Sequence, residues 1–185
     1  MPTHTHPSIH RPHRRRKPHF LFGNFPGFLS FLEGIESGFA TTCGILLGLW
    51  FQNPTSRLLI ITAVVSLLIN AVNSASIKFM SEHTFDELDG REKHRVILNA
   101  LSPALVQFTT HVIMASIVLI PVFVIYPSIY GIFASIALTI VVLSAAGWYR
   151  GHTSHGHAAR DALESVMLAL LIIAAGGGAG LLLSL

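Results

Sequence analysis

Charge is scarce in this sequence. Asp, Glu, Lys and Arg make up 11% of its 185 residues, and none of them occurs from Val166 to Leu185. An ordinary soluble domain carries about 25%. Cysteine is scarcer still: Cys43 stands alone inside an apolar run, which excludes a disulfide framework. Also missing are a glycine-rich phosphate loop leading into a helix with a lysine, a paired-histidine zinc motif, and a His and Asp arrangement that would make Cys43 a nucleophile. The chain is read as a non-enzyme with no nucleic-acid partner and no permanently bound cofactor.

What is present is apolar surface. Hydrophobic residues make up 51% of the chain, too much for a soluble domain of this size. They fall into five runs, at 28–51, 58–80, 102–126, 128–148 and 162–185, each long enough for the roughly 20 residues that cross a bilayer as helix. The expected fold is an all-α, multi-pass integral membrane protein of five transmembrane helices at 28–185, preceded by a disordered His- and Arg-rich tail at 1–27. PHFLFGNFPGF follows the basic cluster without a small-residue cleavage site, so the first helix is expected to stay in the mature protein.

Basic residues set the orientation, because cationic loops resist translocation. Arg11, Arg14, Arg15, Arg16 and Lys17 lie in the tail; Arg91, Lys93, Arg95, Arg150 and Arg160 lie in the loops on the same side. The other side holds only Arg57. The N-terminus is therefore expected in the cytosol and the C-terminus outside, in the cell membrane if the source is prokaryotic.

Polar side chains inside apolar runs are the functional signal, since a charge at mid-bilayer costs about 3 kcal/mol on insertion scales. EGIESGFATTCG places Glu33 and Glu36 three residues apart, where they can offer several oxygens to one cation or stay hydrated near the headgroups. The second run carries Asn70, Asn73, Ser74 and Lys78. Its amide and hydroxyl oxygens suit hard cations and also serve as interhelical glue. Together with the two acids, Asn70, Asn73 and Ser74 make up the candidate metal path, in a polar crevice between the first two helices. Lys78 is its candidate counter-ion, pairing with Glu33 or Glu36.

His111, about two turns into the third run, is a candidate proton relay or a packing histidine. Outside the runs, His83, Asp86 and Glu87 are spaced for one helix face and, with His152, His155 and His157, are candidates for cytosolic metal capture. His4, His6, His10, His13 and His19 in the tail add to the same idea. Gly176, Gly177, Gly178 and Gly180 permit close helix approach, as at a dimer seam. Pro121 is expected to kink the third helix.

These residues also carry a resemblance. EGIESGFATTCGI resembles the first-helix signature of the vacuolar iron transporter family, Asp-Gly-Ile-x-Ser-x-Phe-x-x-x-x-Gly, with Glu33, Gly34, Ile35, Ser37, Phe39 and Gly44 in register. NSASIKFMSE is similar to the family's Ser-Met-Ala-x-Gly-Glu-Tyr-Leu-Ser block. SPALVQFTTHVIMASIVLIP resembles its proline-containing third helix, and the stretch from Ala145 to Leu182 its closing basic loop and glycine-rich fifth helix. The likeness runs from about 29 to 185.

The resemblance implies a five-helix homodimer that moves Fe²⁺ or Mn²⁺ out of the cytosol in exchange for protons, with Glu33 on the ion path. Ser74 falls where the family has a metal-path methionine and Lys78 where it has an acid, which removes a soft ligand and reverses a charge. The long Glu-rich cytosolic insert of many members is replaced by the segment from Ser81 to Leu101. The competing reading is a non-transporting homologue that keeps the fold as a structural or regulatory membrane partner.

Overall fold

A computed structural model of the chain describes residues 25–88, 93–125, 128–153 and 157–185. They form five helices: α1 (Phe25–Trp50), α2 (Ser56–Leu88), α3 (Lys93–Val124), α4 (Ser128–Thr153) and α5 (Ala158–Ser184). No strand occurs among the described residues. Four of the five, α2 to α5, are long and apolar enough to cross a membrane by themselves, and the protein is a multi-pass integral membrane protein. Residues 1–24 of the tail lie outside the described residues. The helix α1 starts at Phe25, inside the stretch read as tail, with Pro26 in its first turn, where a missing N–H costs nothing.

The helices overrun the apolar runs chiefly at one end of the bundle. There α2 continues to Leu88, α3 starts at Lys93, α4 continues to Thr153 and α5 starts at Ala158. Apolar composition marks only the part that needs lipid, whereas backbone hydrogen bonding carries a helix on into polar sequence. The result is a helical collar rich in charged residues. At the other end α1 stops sharply: Asn53 adopts a left-handed conformation (φ 47°), the usual device after a helix C-terminus, and Pro54 follows. Thr55 then caps α2, its hydroxyl accepting from the Leu58 N–H at 3.3 Å.

α1 is the central helix. It packs against all four others, and no residue from Gly27 to Phe51 is exposed. Its position explains its composition, because a helix surrounded by protein can carry glycines, hydroxyls and acids that lipid would penalise. The other helices bury one stripe and turn large side chains outward. On α2 the stripe is Leu59, Ala63, Leu67, Ala71 and Lys78; on α5 it is Ser165, Ala169, Ile173, Gly177 and Gly180. Ile69, Ile113, Phe133, Val141, Leu171 and Leu182 are among the outward residues.

Helices α1, α3 and α5 run in the same direction, and glycines set the spacing between them. Gly34 faces Thr110, and Gly38 faces the His111 carbonyl. Gly44 and Gly48 of α1 meet Gly176 and Gly180 of α5 backbone to backbone, and the Gln52 amide donates to the Gly180 carbonyl at 2.6 Å. The seam expected between two subunits at Gly176 and Gly180 is thus built within one chain. Gly177 packs on Leu47, whereas Gly178 meets nothing within 4 Å. Pro121 falls in the last turn of α3 and packs against Gly131 of α4, so a bend there redirects only the helix end.

Candidate functional site

Glu33 lies about 12 Å along the axis from the start of α1. Its carboxylate meets α2, where the Lys78 ammonium donates to Oε2 at 3.0 Å and to Oε1 at 3.2 Å. The same ammonium is 3.4 Å from Glu82 Oε1, one turn along α2. Lys78 is held tightly: its side chain is 10% exposed, against 36% for Glu33. One ammonium therefore serves two carboxylates, and the trio keeps one negative charge. Glu82 had no place in the expected site; its i+4 spacing from Lys78 was the available signal.

Glu36 turns elsewhere. Its Oε1 accepts from Arg150 Nη1 of α4 at 3.0 Å and from the Ser165 hydroxyl of α5 at 2.8 Å, and Arg150 Nη2 donates to Ser165 Oγ at 3.2 Å. The expectation that both acids face one crevice and share a cation is corrected here. Three residues of helix rotate a side chain by about 60°. On a helix enclosed on every side that rotation exchanges one neighbour for another. Arg150, which was itself read only for orientation, and Ser165 are contacts of Glu36 that the sequence reasoning missed.

Arg150→Met should leave the Glu36 carboxylate half-buried without its cation and cost about 2 kcal/mol of stability. Glu36→Gln together with Arg150→Met should recover much of that loss. Thermal unfolding of the purified variants measures both, and strictly additive losses would refute the coupling.

The second-helix candidates divide. Asn70 and Ser74 are half-buried, whereas Asn73 is exposed on the outward face. Five residues separate Asn73 from Lys78, about 140° of helix rotation, so in a single chain Asn73 stands apart from the Glu33 pair. None of the three forms a side-chain hydrogen bond with a described residue. Of the capture candidates, His83 Nδ1 is 3.7 Å from Glu87 Oε2, while Asp86 Oδ2 accepts from Asn99 Nδ2 of α3 at 3.3 Å. His83 also lies beside Phe79, ring centroids 5.8 Å apart. His152 and His157 are exposed at the collar. His155 and the tail histidines lie outside the described residues. Among the described residues no three His, Cys, Asp or Glu side chains are grouped to hold a metal ion.

His111 is fully buried at the middle of α3. Its Nδ1 is 2.9 Å from Ser37 Oγ, next in sequence to Glu36, and its Nε2 has no partner among the described residues. Cys43 is buried as well, its Sγ 3.0 Å from Thr139 Oγ1 of α4.

A bundle of apolar helices around one central helix, with acids held inside by a lysine and an arginine, is the construction of a multi-pass protein that manages charge within the bilayer. A sequence model of the VIT family matches residues 64–181, from Val64 in α2 to Leu181 in α5, and the chain belongs to that family. Its members are membrane metal-ion transporters rather than enzymes, in keeping with the vacuolar iron transporter resemblance. The match covers more than half of the chain but begins after α1, so Glu33 and Glu36 lie outside it. No curated protein matches the chain.

Proposed function

We propose that the protein moves a divalent transition-metal ion, Fe²⁺ or Mn²⁺, out of the cytosol in exchange for protons, with Glu33 and Glu82 as the cation-binding carboxylates. The observation that carries this reading is the Glu33–Lys78–Glu82 bridge. Two carboxylates around one ammonium leave a net charge of −1, and a divalent cation in the ammonium's place leaves zero. Carboxylate oxygens suit Mn²⁺ and Fe²⁺ better than Cu⁺, which prefers sulfur, and the replacement of the family's thioether by Ser74 points the same way. Lys78 is then the resting occupant that a cargo ion displaces.

Two further expectations belong to this reading. The charged collar faces the cytosol, as the basic residues require. The protein works as a homodimer: Asn73 presents an amide from the outward face of α2, near the middle of that helix, where contact with hydrocarbon is costly and a second copy supplies cover.

Uptake into liposomes reconstituted with the full-length protein is the test, with Fe²⁺, Mn²⁺, Co²⁺, Ni²⁺ and Zn²⁺ outside and a pH dye inside. Saturable uptake of Fe²⁺ or Mn²⁺ with opposite proton movement is expected. No uptake of any ion by demonstrably folded protein would instead favour the non-transporting homologue, for which the pairing of Glu33 by Lys78 and of Glu36 by Arg150 is the supporting observation.

A further inference from the structure

Buried polar atoms in proteins find a partner, commonly an ordered water where the chain supplies none. Three side-chain atoms break that rule together. Thr42 Oγ1, Gln107 Oε1 and His111 Nε2 are buried without a protein partner among the described residues, in residues that are 2%, 8% and 0% exposed. Each would cost about 1–3 kcal/mol if it stayed dry.

Their placement is ordered along the bundle axis. Gln107 and His111 are one turn apart on the same side of α3. Because α1 and α3 run in parallel, Gln107 stands at the level of Gly34 and His111 at the level of Ser37 and Gly38. Thr42 lies about 7 Å further along α1. The column continues through hydrogen bonds: beside Thr42, Cys43 meets Thr139 at 3.0 Å, the Thr139 hydroxyl donates to the Ser135 carbonyl at 2.8 Å, and the Ser135 hydroxyl donates to the Val118 carbonyl at 2.7 Å. From Gln107 to Val118 the polar groups cover about 16 Å of the axis, inside one chain.

We propose that Gln107, His111 and Thr42 hold water between the helices of a single chain, and that this water, with the His111–Ser37 pair, carries protons through the middle of the bundle by a route separate from the cation site. The inference rests on the transporter reading above, since it assigns that reading's proton a path. With Nδ1–H donated to Ser37, Nε2 presents a lone pair to water. A proton taken up at Nε2 from hydronium leaves water behind. The Nδ1 proton then moves to Ser37 Oγ as the hydroxyl's own proton, which rests on the Gly34 carbonyl at 3.4 Å, turns from that carbonyl and passes to the next water. One proton enters and one leaves, and no bond between heavy atoms changes. Of the acids on α1, Glu33 and Glu36 are engaged with Lys78 and Arg150; these two cations reach α1 at the levels of Gln107 and His111, whereas Glu82, Asp86 and Glu87 lie further along α2, toward the collar.

Hydroxyl-radical footprinting of the full-length protein, with the radicals generated from water by an X-ray pulse, tests the water directly, because a buried residue is labelled only when water lies against it. His111 should be labelled despite its burial. Gln107→Leu with Thr42→Val should lower that labelling about tenfold while His152, exposed at the collar, is labelled as before. In liposomes with Mn²⁺ outside and a pH dye inside, Gln107→Leu should lower proton movement and the Mn²⁺ uptake exchanged for it together, by about tenfold, with the half-saturating Mn²⁺ concentration within about twofold of wild type. His111→Gln, which keeps a polar group in place of the imidazole, should lower proton movement similarly. Unlabelled His111 overturns the water site whether or not Mn²⁺ moves. Proton movement that is absent in wild type or unchanged in Gln107→Leu overturns the route. Failure of the parent reading shows separately, as wild-type protein that takes up no Mn²⁺.

Discussion

Gly180→Val is expected to lower the unfolding temperature of the purified protein by about 6–12 °C, whereas Gly178→Val should leave it nearly unchanged. The two glycines are neighbours in sequence and opposites in surroundings. A Cβ on Gly180 would run into the backbone of Gly48, and nothing lies within 4 Å of one on Gly178. At Gly48 itself the added carbon would sit 2.5 Å from the Gly176 carbonyl oxygen. Backbone on both sides cannot rotate away as a side chain can, so α1 and α5 must separate. Overpacking of this kind costs about 3 kcal/mol, and in a chain of this length each kcal/mol is worth about 2–4 °C. Separation would also break the bond from Gln52 to Gly180 and shift Ser165 relative to Glu36. The comparison is made by following aggregation or fluorescence on heating in one detergent. Equal shifts for the two variants would mean that the α1–α5 seam does not hold the bundle together.

Lys78→Gln should raise Mn²⁺ uptake at subsaturating concentration about tenfold, and Glu33→Gln should lower it by a similar factor, each equivalent to about 1.4 kcal/mol of cation affinity. The glutamine removes the resident cation and leaves Glu33 and Glu82 facing each other with two negative charges, a state that a divalent ion relieves. The same substitution predicts a stability signature: without metal the variant should unfold at lower temperature than wild type, and added Mn²⁺ should restore more than it adds to the wild type, because only the variant gains a site free of competition. Loss of uptake in well-folded Lys78→Gln would contradict the displacement role. It would make Lys78 a structural clamp between α1 and α2.

Much of this was legible in advance. Five helices and membrane residence follow from apolar runs whose length is dictated by the bilayer, whereas the polar helix ends that overrun those runs do not. The interest of Glu33 and Lys78 was visible because ionised groups inside such runs need partners, and of the two acids open to Lys78 the structure pairs it with Glu33. Glu36 was misjudged: its i+3 relation to Glu33 is a fact of one helix, whereas its partners, Arg150 and Ser165, come from positions 114 and 129 residues away. Asn73 was misjudged for the converse reason, since polar content along α2 does not reveal which of its faces meets α1. Gln107 and Thr42 carried no signal at all, because an amide or hydroxyl in a helix becomes informative only when burial removes its water.

By itself, then, the sequence determined the helices, the membrane and the presence of charges that must be neutralised, all of which depend on local periodicity and on transfer from water to hydrocarbon. Only the tertiary structure decided which helix is central, which acid meets which cation, and that Gly176 and Gly180 close on Gly44 and Gly48 of the same chain. The physical reason is that five apolar helices are nearly equivalent partners by hydrophobicity. Their arrangement is selected by close packing at small residues and by a few directional polar contacts, and these exist only between segments distant in sequence.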